Sequence, residues 1–233
     1  GIEQQNLQSL ERVRELLVKQ KTQVVNQTHG LLLEFGIVSG QGLKAIKACL
    51  ANALEDGENE LTWEMRELFA EQRDEINRLH ERVAEFTKRI ERYSKTVAPC
   101  QSLTDIRGVG PIGAALLYIS LGDGKGFANG RQAAACTGLT PKQYSTGGKV
   151  TLYGIGKRGN RRQKAVLIRG AHSVIQHIGD KQDRLSCWLR ELVERAGPNK
   201  AAVALANKTV RMAWAMLRHE RGYDADIAAM TEA

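Results

Sequence analysis

A mostly α-helical protein is predicted, with long antiparallel coiled-coil helices followed by a compact helical domain that contains a helix-hairpin-helix motif. Three observations carry this. A heptad seam runs without a break from Met65 to Tyr93. The stretch from Gln4 to Phe35 contains no Pro and a single glycine, Gly30. Beyond Pro99 the composition turns to Gly, Ala and other small residues, in helical stretches separated by capping residues.

In chain order, the first helix is expected over about 4–35, with Leu10, Val13, Leu17, Val24 and Leu31 on one stripe and Gln20 and Gln27 in register. A short helix follows the Gly36–Gly42 break, from about Gly42 to Leu54, and an acidic turn, Glu55–Glu60, comes next. The helix from about Leu61 to Thr96 carries the seam: Met65, Phe69, Gln72, Ile76, Leu79, Val83, Phe86, Ile90 and Tyr93 alternate steps of four and three, with charged residues between them. Such a seam must be buried against another helix. The first helix, folded back, is one partner and a second chain is the other. Pro99 ends this helix, and a domain boundary is placed at 98, giving a coiled-coil region over 1–98 and a second domain over 99–233.

In the second domain, helices are expected at about 102–107, 111–121, 129–137, 160–178, 182–196 and 199–219. Asn129 and Asn160 are suited to N-caps, and Gly138 and Gly197 to C-caps. Residues 138–159 read as a loop region with a short strand at Lys149–Leu152.

Hydrophobic residues make up 42% of the 233 and aromatics 5%, so the core rests on aliphatic side chains. No apolar run approaches the roughly 20 residues that span a bilayer, and the polar, charged start carries no signal-peptide pattern. The chain opens on Gly1 rather than Met and is expected to begin inside a longer protein. Cys49, Cys100, Cys136 and Cys187 form no CxxC pair and read as buried thiols of a reducing compartment. His172 and His177 are five apart, on different helix faces, which disfavours a metal site.

The net charge of +8 is concentrated. Residues 131–184 hold 11 Lys/Arg against two acidic residues, whereas residues 1–99 hold 14 Lys/Arg against 16 Asp/Glu. A solvated basic face is the plain reading of such a cluster; its concentration points instead to a polyanion partner.

Two motifs carry chemistry. In LTDIRGVGPIGAALL, residues 103–117, two short helices flank Arg107-Gly108-Val109-Gly110, and Pro111 suits a first helical position. The glycines permit a tight turn, and backbone N–H groups around Gly108, Val109, Gly110 and Gly113 could hold a DNA phosphate. The competing reading is a tight turn packed in a core. In residues 130–172, Ser145 and Thr146 precede Gly147 and Gly148, between Lys142 and Lys149, and Lys157, Arg158, Arg161 and Arg162 follow around a helix start. A hydroxyl beside such cations is a candidate nucleophile toward phosphorus. The competing reading is a polar turn.

Taken in order, the helix-hairpin-helix, GLTPKQYSTGGK, GIGKRGNRRQKAVLI and PNKAAVALANKTVRMAWAML resemble the Piv-like insertion-sequence transposases, the IS-one-ten and IS-eleven-eleven groups, over about residues 3–225. The resemblance implies a DNA transposase or recombinase in which a serine of the C-terminal domain attacks DNA and a structured guide RNA directs target choice. It assigns the nucleophile to Ser145, with Thr146 as the alternative register; beside it, the basic residues Lys142, Lys149, Lys157, Arg158, Arg161 and Arg162 are expected to hold phosphates. It further implies Mg2+ on four acidic ligands of a RuvC-like domain that this stretch is expected to lack, so no cofactor and no activity are expected of this stretch alone. The implied partners are DNA, guide RNA and further copies of the chain, in a bacterial cytoplasm at the nucleoid and not at a membrane. Two other readings stay open: a non-enzymatic helix-hairpin-helix DNA-binding module with a coiled-coil dimeriser, and a coiled-coil adaptor that binds only protein.

Overall fold

The structure, a computed structural model, describes residues 1–156 and 158–224. Among these the order is α1 (Ile2–Glu34), α2 (Leu43–Glu55), α3 (Trp63–Ser94), α4 (Ala98–Leu103), α5 (Pro111–Leu121), α6 (Gly130–Thr137), β1 (Pro141–Thr146), β2 (Lys149–Ile155), α7 (Arg161–Gln176), α8 (Arg184–Ala196) and α9 (Pro198–His219). The fold is mostly α. The chain groups into two compact units, one of Ser9–Arg89 and one joining Gly1–Gln8 to the chain from Ile90 onward.

In the Ser9–Arg89 unit the seam of α3 finds its partner within the chain. Leu17 packs with Leu79 and Val83, and Leu32 with Phe69, Ile76 and the α2 residues Ile46 and Leu50. Arg14 Nε donates to Thr87 Oγ1 at 2.6 Å, and Thr28 Oγ1 pairs with Gln72 Oε1 at 3.3 Å. Early α1 thus meets late α3, which makes the pair antiparallel.

The register of α1 differs from the expected stripe. Val13, Gln20 and Gln27 are exposed, while Leu17, Thr28 and Leu32 are buried. The apolar residues of α1 are too sparse to define one stripe, so the strict heptad of α3 selects the face. Thr28 fits there because its hydroxyl also donates to Val24 O at 2.8 Å. Leu79 is 2% exposed. Leu79→Asp is therefore expected to destabilise the unit by about 3 kcal/mol or more, through lost packing and a buried charge. Circular dichroism melting checks this, and an unchanged Tm would mean the seam is not buried.

In the other unit α9 is the spine, packed against α4, α5, α6, α7 and α8. Ala201, Ala202, Ala206 and Ala213 on α9 are fully buried, and their small side chains let neighbouring helices come close. Helix α5 buries Ala114, Ala115, Leu116, Leu117 and Leu121, the apolar all-round pattern of an enclosed helix. Asn129 caps α6 by accepting from Gln132 N, and Gly138 closes it in the left-handed region at φ 73°.

Three local expectations change. The helix expected at 102–107 lies at Ala98–Leu103, because Pro99 opens a new helix as well as ending the last. Residues 141–146, expected as loop, form β1, paired with a β2 longer than the strand expected there. Among the cysteines only Cys100 is buried, and Cys136 is exposed. Burial, and then the Glu3 charge, push the Cys100 thiol up to about 12, so it is inert at neutral pH.

Candidate nucleic-acid interface

Gly147 and Gly148 both take positive φ, 58° and 77°. Two such residues make the tight turn whose twist matches paired strands, and the neighbouring Tyr144, Thr146, Val150, Thr151 and Tyr153 favour strand. The antiparallel register sets Thr146 against Lys149, Ser145 against Val150, Tyr144 against Thr151 and Gln143 against Leu152, with an irregularity between Pro141 and Gln143. Every residue of β1 is exposed. Alternation along a strand sends Ser145 and Thr146 to opposite faces. Gln143 shares the Ser145 face and donates Nε2–H to Ser145 Oγ at 2.8 Å. That amide leaves the hydroxyl proton free to be given up, but it is no base.

A two-stranded hairpin is marginal by itself, so its base must be held. Lys164 does this from the first turn of α7. The residue is 7% exposed, and its Nζ donates to Gly156 O at 2.8 Å and to Arg158 O at 2.7 Å. The chain entering and the chain leaving the hairpin also cross backbone to backbone. A Cβ on Gly138 would fall on the Arg158 carbonyl, and one on Gly159 on the Thr137 carbonyl.

The basic residues gather around this base. Lys142 is exposed on β1, and Arg158 and Arg161 are exposed on either side of the start of α7. Arg162 is half-buried; burial, and then the neighbouring Arg169 charge, hold its guanidinium below the ordinary arginine range. An anion beside these two arginines would relieve that repulsion. Lys149 lies in β2 opposite Thr146, and Lys157 lies outside the described residues. Asn160 Oδ1 accepts from the N–H groups of Arg162 and Gln163 at 2.9 and 3.2 Å. The cap thus occupies backbone donors at this helix start, and cationic side chains are what it offers an anion.

The α4–α5 turn is shaped by α7. Gly108 has φ +81°, and a Cβ there would meet Gly170 O at 2.8 Å. Val109 is buried and its N–H donates to Ile106 O at 3.0 Å. Gly110 is exposed and caps α5 at its N-terminus; Gly113 is buried in the first turn. A helix's first turn has no intrahelical acceptor for its N–H groups, and in α5 those belong to Ile112 and Gly113, since Pro111 has none. Arg107 is turned away toward α8. Its Nη1 donates to Asp183 at 3.0 and 3.1 Å and to Ser186 Oγ at 3.1 Å. Burial works to raise the Asp183 pKa, but the hydrogen bonds from Ser186 and Arg107 outweigh it and hold the carboxyl below its ordinary value.

Three contributors were not legible as such: Lys164, Arg169 and Gly170. The signal for Gly170 was a glycine inside an apolar helical pattern, which marks close packing. Lys164 and Arg169 were only two more basic residues in a basic segment.

Among the described residues no group of three or more His, Cys, Asp or Glu side chains is placed to hold a metal ion. Among them, too, no helix is long and apolar enough to cross a membrane.

The family model described as "Transposase IS116/IS110/IS902 family" matches residues 100–186. The chain is 40% identical over 222 residues to a probable family 20 transposase of Pseudomonas aeruginosa, covering 95% of this chain and 66% of that protein. It is 36% identical over 222 residues to the transposase for insertion sequence element IS1111A of Coxiella burnetii, covering 95% of this chain and 61% of that one. It is 38% identical over 212 residues to the transposase for insertion sequence element IS1328 of Yersinia enterocolitica, covering 91% and 63% respectively. The chain thus spans between 61% and 66% of the length of these three relatives.

Proposed function

The chain belongs to the IS116/IS110/IS902 transposase family, and on that premise we propose that it binds DNA and a structured guide RNA and supplies Ser145 as the nucleophile in transposition of an insertion sequence. One observation carries the reading: an exposed hairpin bearing Ser145 and Thr146 is flanked in the chain by exposed Lys142, Arg158 and Arg161 and half-buried Arg162, in the segment that holds the chain's excess positive charge. The cations bring phosphates to the hairpin. Lys149 and Lys157 belong to the same proposed set. Ser145 Oγ would attack phosphorus and give up its hydroxyl proton to water, the P–O bond to the leaving strand would break, and the leaving oxygen would take up a proton from water. The cations would stabilise charge on the phosphoryl oxygens. The α5 N-terminus, with Gly110 and Gly113 on the turn set by Gly108 and Val109, would bind a further phosphate. Several copies would act together, and the metal-dependent part of the chemistry is assigned to no residue described here.

A specific observation favours the non-enzymatic DNA-binding reading: the hydrogen-bond partner of Ser145 is an amide rather than a base. Both readings require nucleic-acid binding. Four phosphate contacts give a log–log salt slope of about −4 on duplex DNA, at about −0.9 for each. Fluorescence anisotropy across 50–200 mM salt, values of the order used to resolve such slopes, is expected to show it. No binding at low salt, or a flat response, would contradict both readings and leave the protein-only adaptor.

A further inference from the structure

The hairpin presents two large aromatic side chains to solvent, and the phosphate contacts above use neither. Tyr144 is 65% exposed and Tyr153 is 58% exposed. Tyr144 pairs with Thr151 across the ladder, and at the irregularity beyond Gln143 the residues Tyr153 and Gly154 together oppose Lys142; Lys142 shares the Tyr144 face by alternation, so Tyr153 stands beside that face. Thr146 shares that face, and Ser145 is on the other. Tyr144 and Tyr153 stand diagonally across the two strands, a relation within reach of aromatic side chains.

Exposed aromatics on a protruding strand attract aggregation or a partner. The charge decides which partner. The hairpin belongs to the segment with 11 Lys/Arg against two acidic residues, and exposed Lys142 lies two residues from Tyr144. This combination of stacking rings and cations fits an unpaired nucleic-acid strand: the cations hold its backbone and the rings take its bases. A duplex keeps its base faces stacked and offers the rings nothing comparable.

We propose that the Tyr144/Tyr153 face of the hairpin is a stacking platform for unpaired DNA bases next to the cleaved phosphate. It rests on the transposase reading, since strand exchange is what exposes unpaired DNA there. Ser145 on one face and the bases on the other would fix the register of the strand at the hairpin tip.

The test uses the 233-residue chain with labelled oligothymidylate, oligouridylate and a random duplex, measured by anisotropy at one salt concentration. Tyr144→Ala and Tyr153→Ala are each expected to weaken oligothymidylate binding about five- to a hundred-fold, the range for loss of one stacked base, with duplex affinity changed less than about two-fold. Tyr144→Phe and Tyr153→Trp keep a ring and are expected to bind like wild type. Both positions are exposed, and unchanged helical circular dichroism confirms folding. Alanine variants that bind oligothymidylate as wild type does, or that lose duplex affinity equally, overturn the platform. A loss confined to oligouridylate overturns DNA as its occupant. If the wild type binds none of the three, the transposase reading itself has failed, and the platform with it.

Discussion

Gly170→Ala is expected to destabilise the unit built on α9 strongly, while leaving it folded at room temperature. Gly170 sits in α7 with its Cα against the Gly108 carbonyl, and a Cβ would occupy the place of that oxygen. The carbonyl cannot retreat. Gly108 is held at φ +81°, and its own space is bounded by Gly170 O at 2.8 Å and Val174 Cγ2 at 2.9 Å from where a Cβ would be. Both partners are backbone, so no side-chain rotation relieves the overlap. The α4–α5 turn must lift off α7, exposing Val109 and Ile106, which are 6% and 1% exposed. A cost of about 3 kcal/mol or more follows, a fall in Tm of about 10 °C for a unit of this size. Gly154→Ala is the control: a Cβ there meets nothing within 4 Å and its φ is not positive. It is expected to melt like wild type. Equal melting of Gly170→Ala and wild type would mean the two backbones do not touch.

Ser145→Ala is expected to abolish transposition by a protein carrying this chain, by at least about a thousand-fold, as removal of a nucleophile does elsewhere. It is also expected to leave nucleic-acid affinity nearly intact, since one neutral hydrogen bond is worth about 0.5–1.5 kcal/mol. The side chain is exposed and its hydroxyl accepts a hydrogen bond from Gln143 Nε2, so the hairpin survives the change. Thr146→Ala is the informative companion. Because the strand sends Thr146 to the opposite face, the two hydroxyls cannot substitute for one another at one phosphorus without rotating the hairpin. Loss with Thr146→Ala alone would move the nucleophile by one residue. Loss with neither would make the hairpin purely a binding element.

The long helices were legible because burial on α3 obeys a strict heptad, and Phe69, Ile76, Leu79 and Val83 are buried as its spacing requires. The face of α1 was not, because its partner's seam, and not its own sparse apolar residues, selects what is buried. Caps at Asn129 and Asn160 could be read locally, since capping depends on residues within one turn. The β1–β2 hairpin was half legible: Gly147-Gly148 between β-formers is a hairpin signal, but polar Lys142, Gln143 and Ser145 hid β1. In the candidate site, residue types and order were readable. What holds them was not: the Lys164 clamp and the Gly108–Gly170 contact join residues far apart in sequence, and no local pattern reports such a crossing.

Trapping the proposed covalent link between Ser145 and DNA tests the serine mechanism. A transposition-competent protein containing this chain would be incubated with donor DNA, denatured, digested with protease and nuclease, and the nucleotide-bearing peptide sequenced by mass spectrometry. The expected result is a nucleotide adduct on Ser145, missing in Ser145→Ala and present in Thr146→Ala. An adduct on Thr146, or DNA cleaved and rejoined with no protein adduct at any stage, would contradict it.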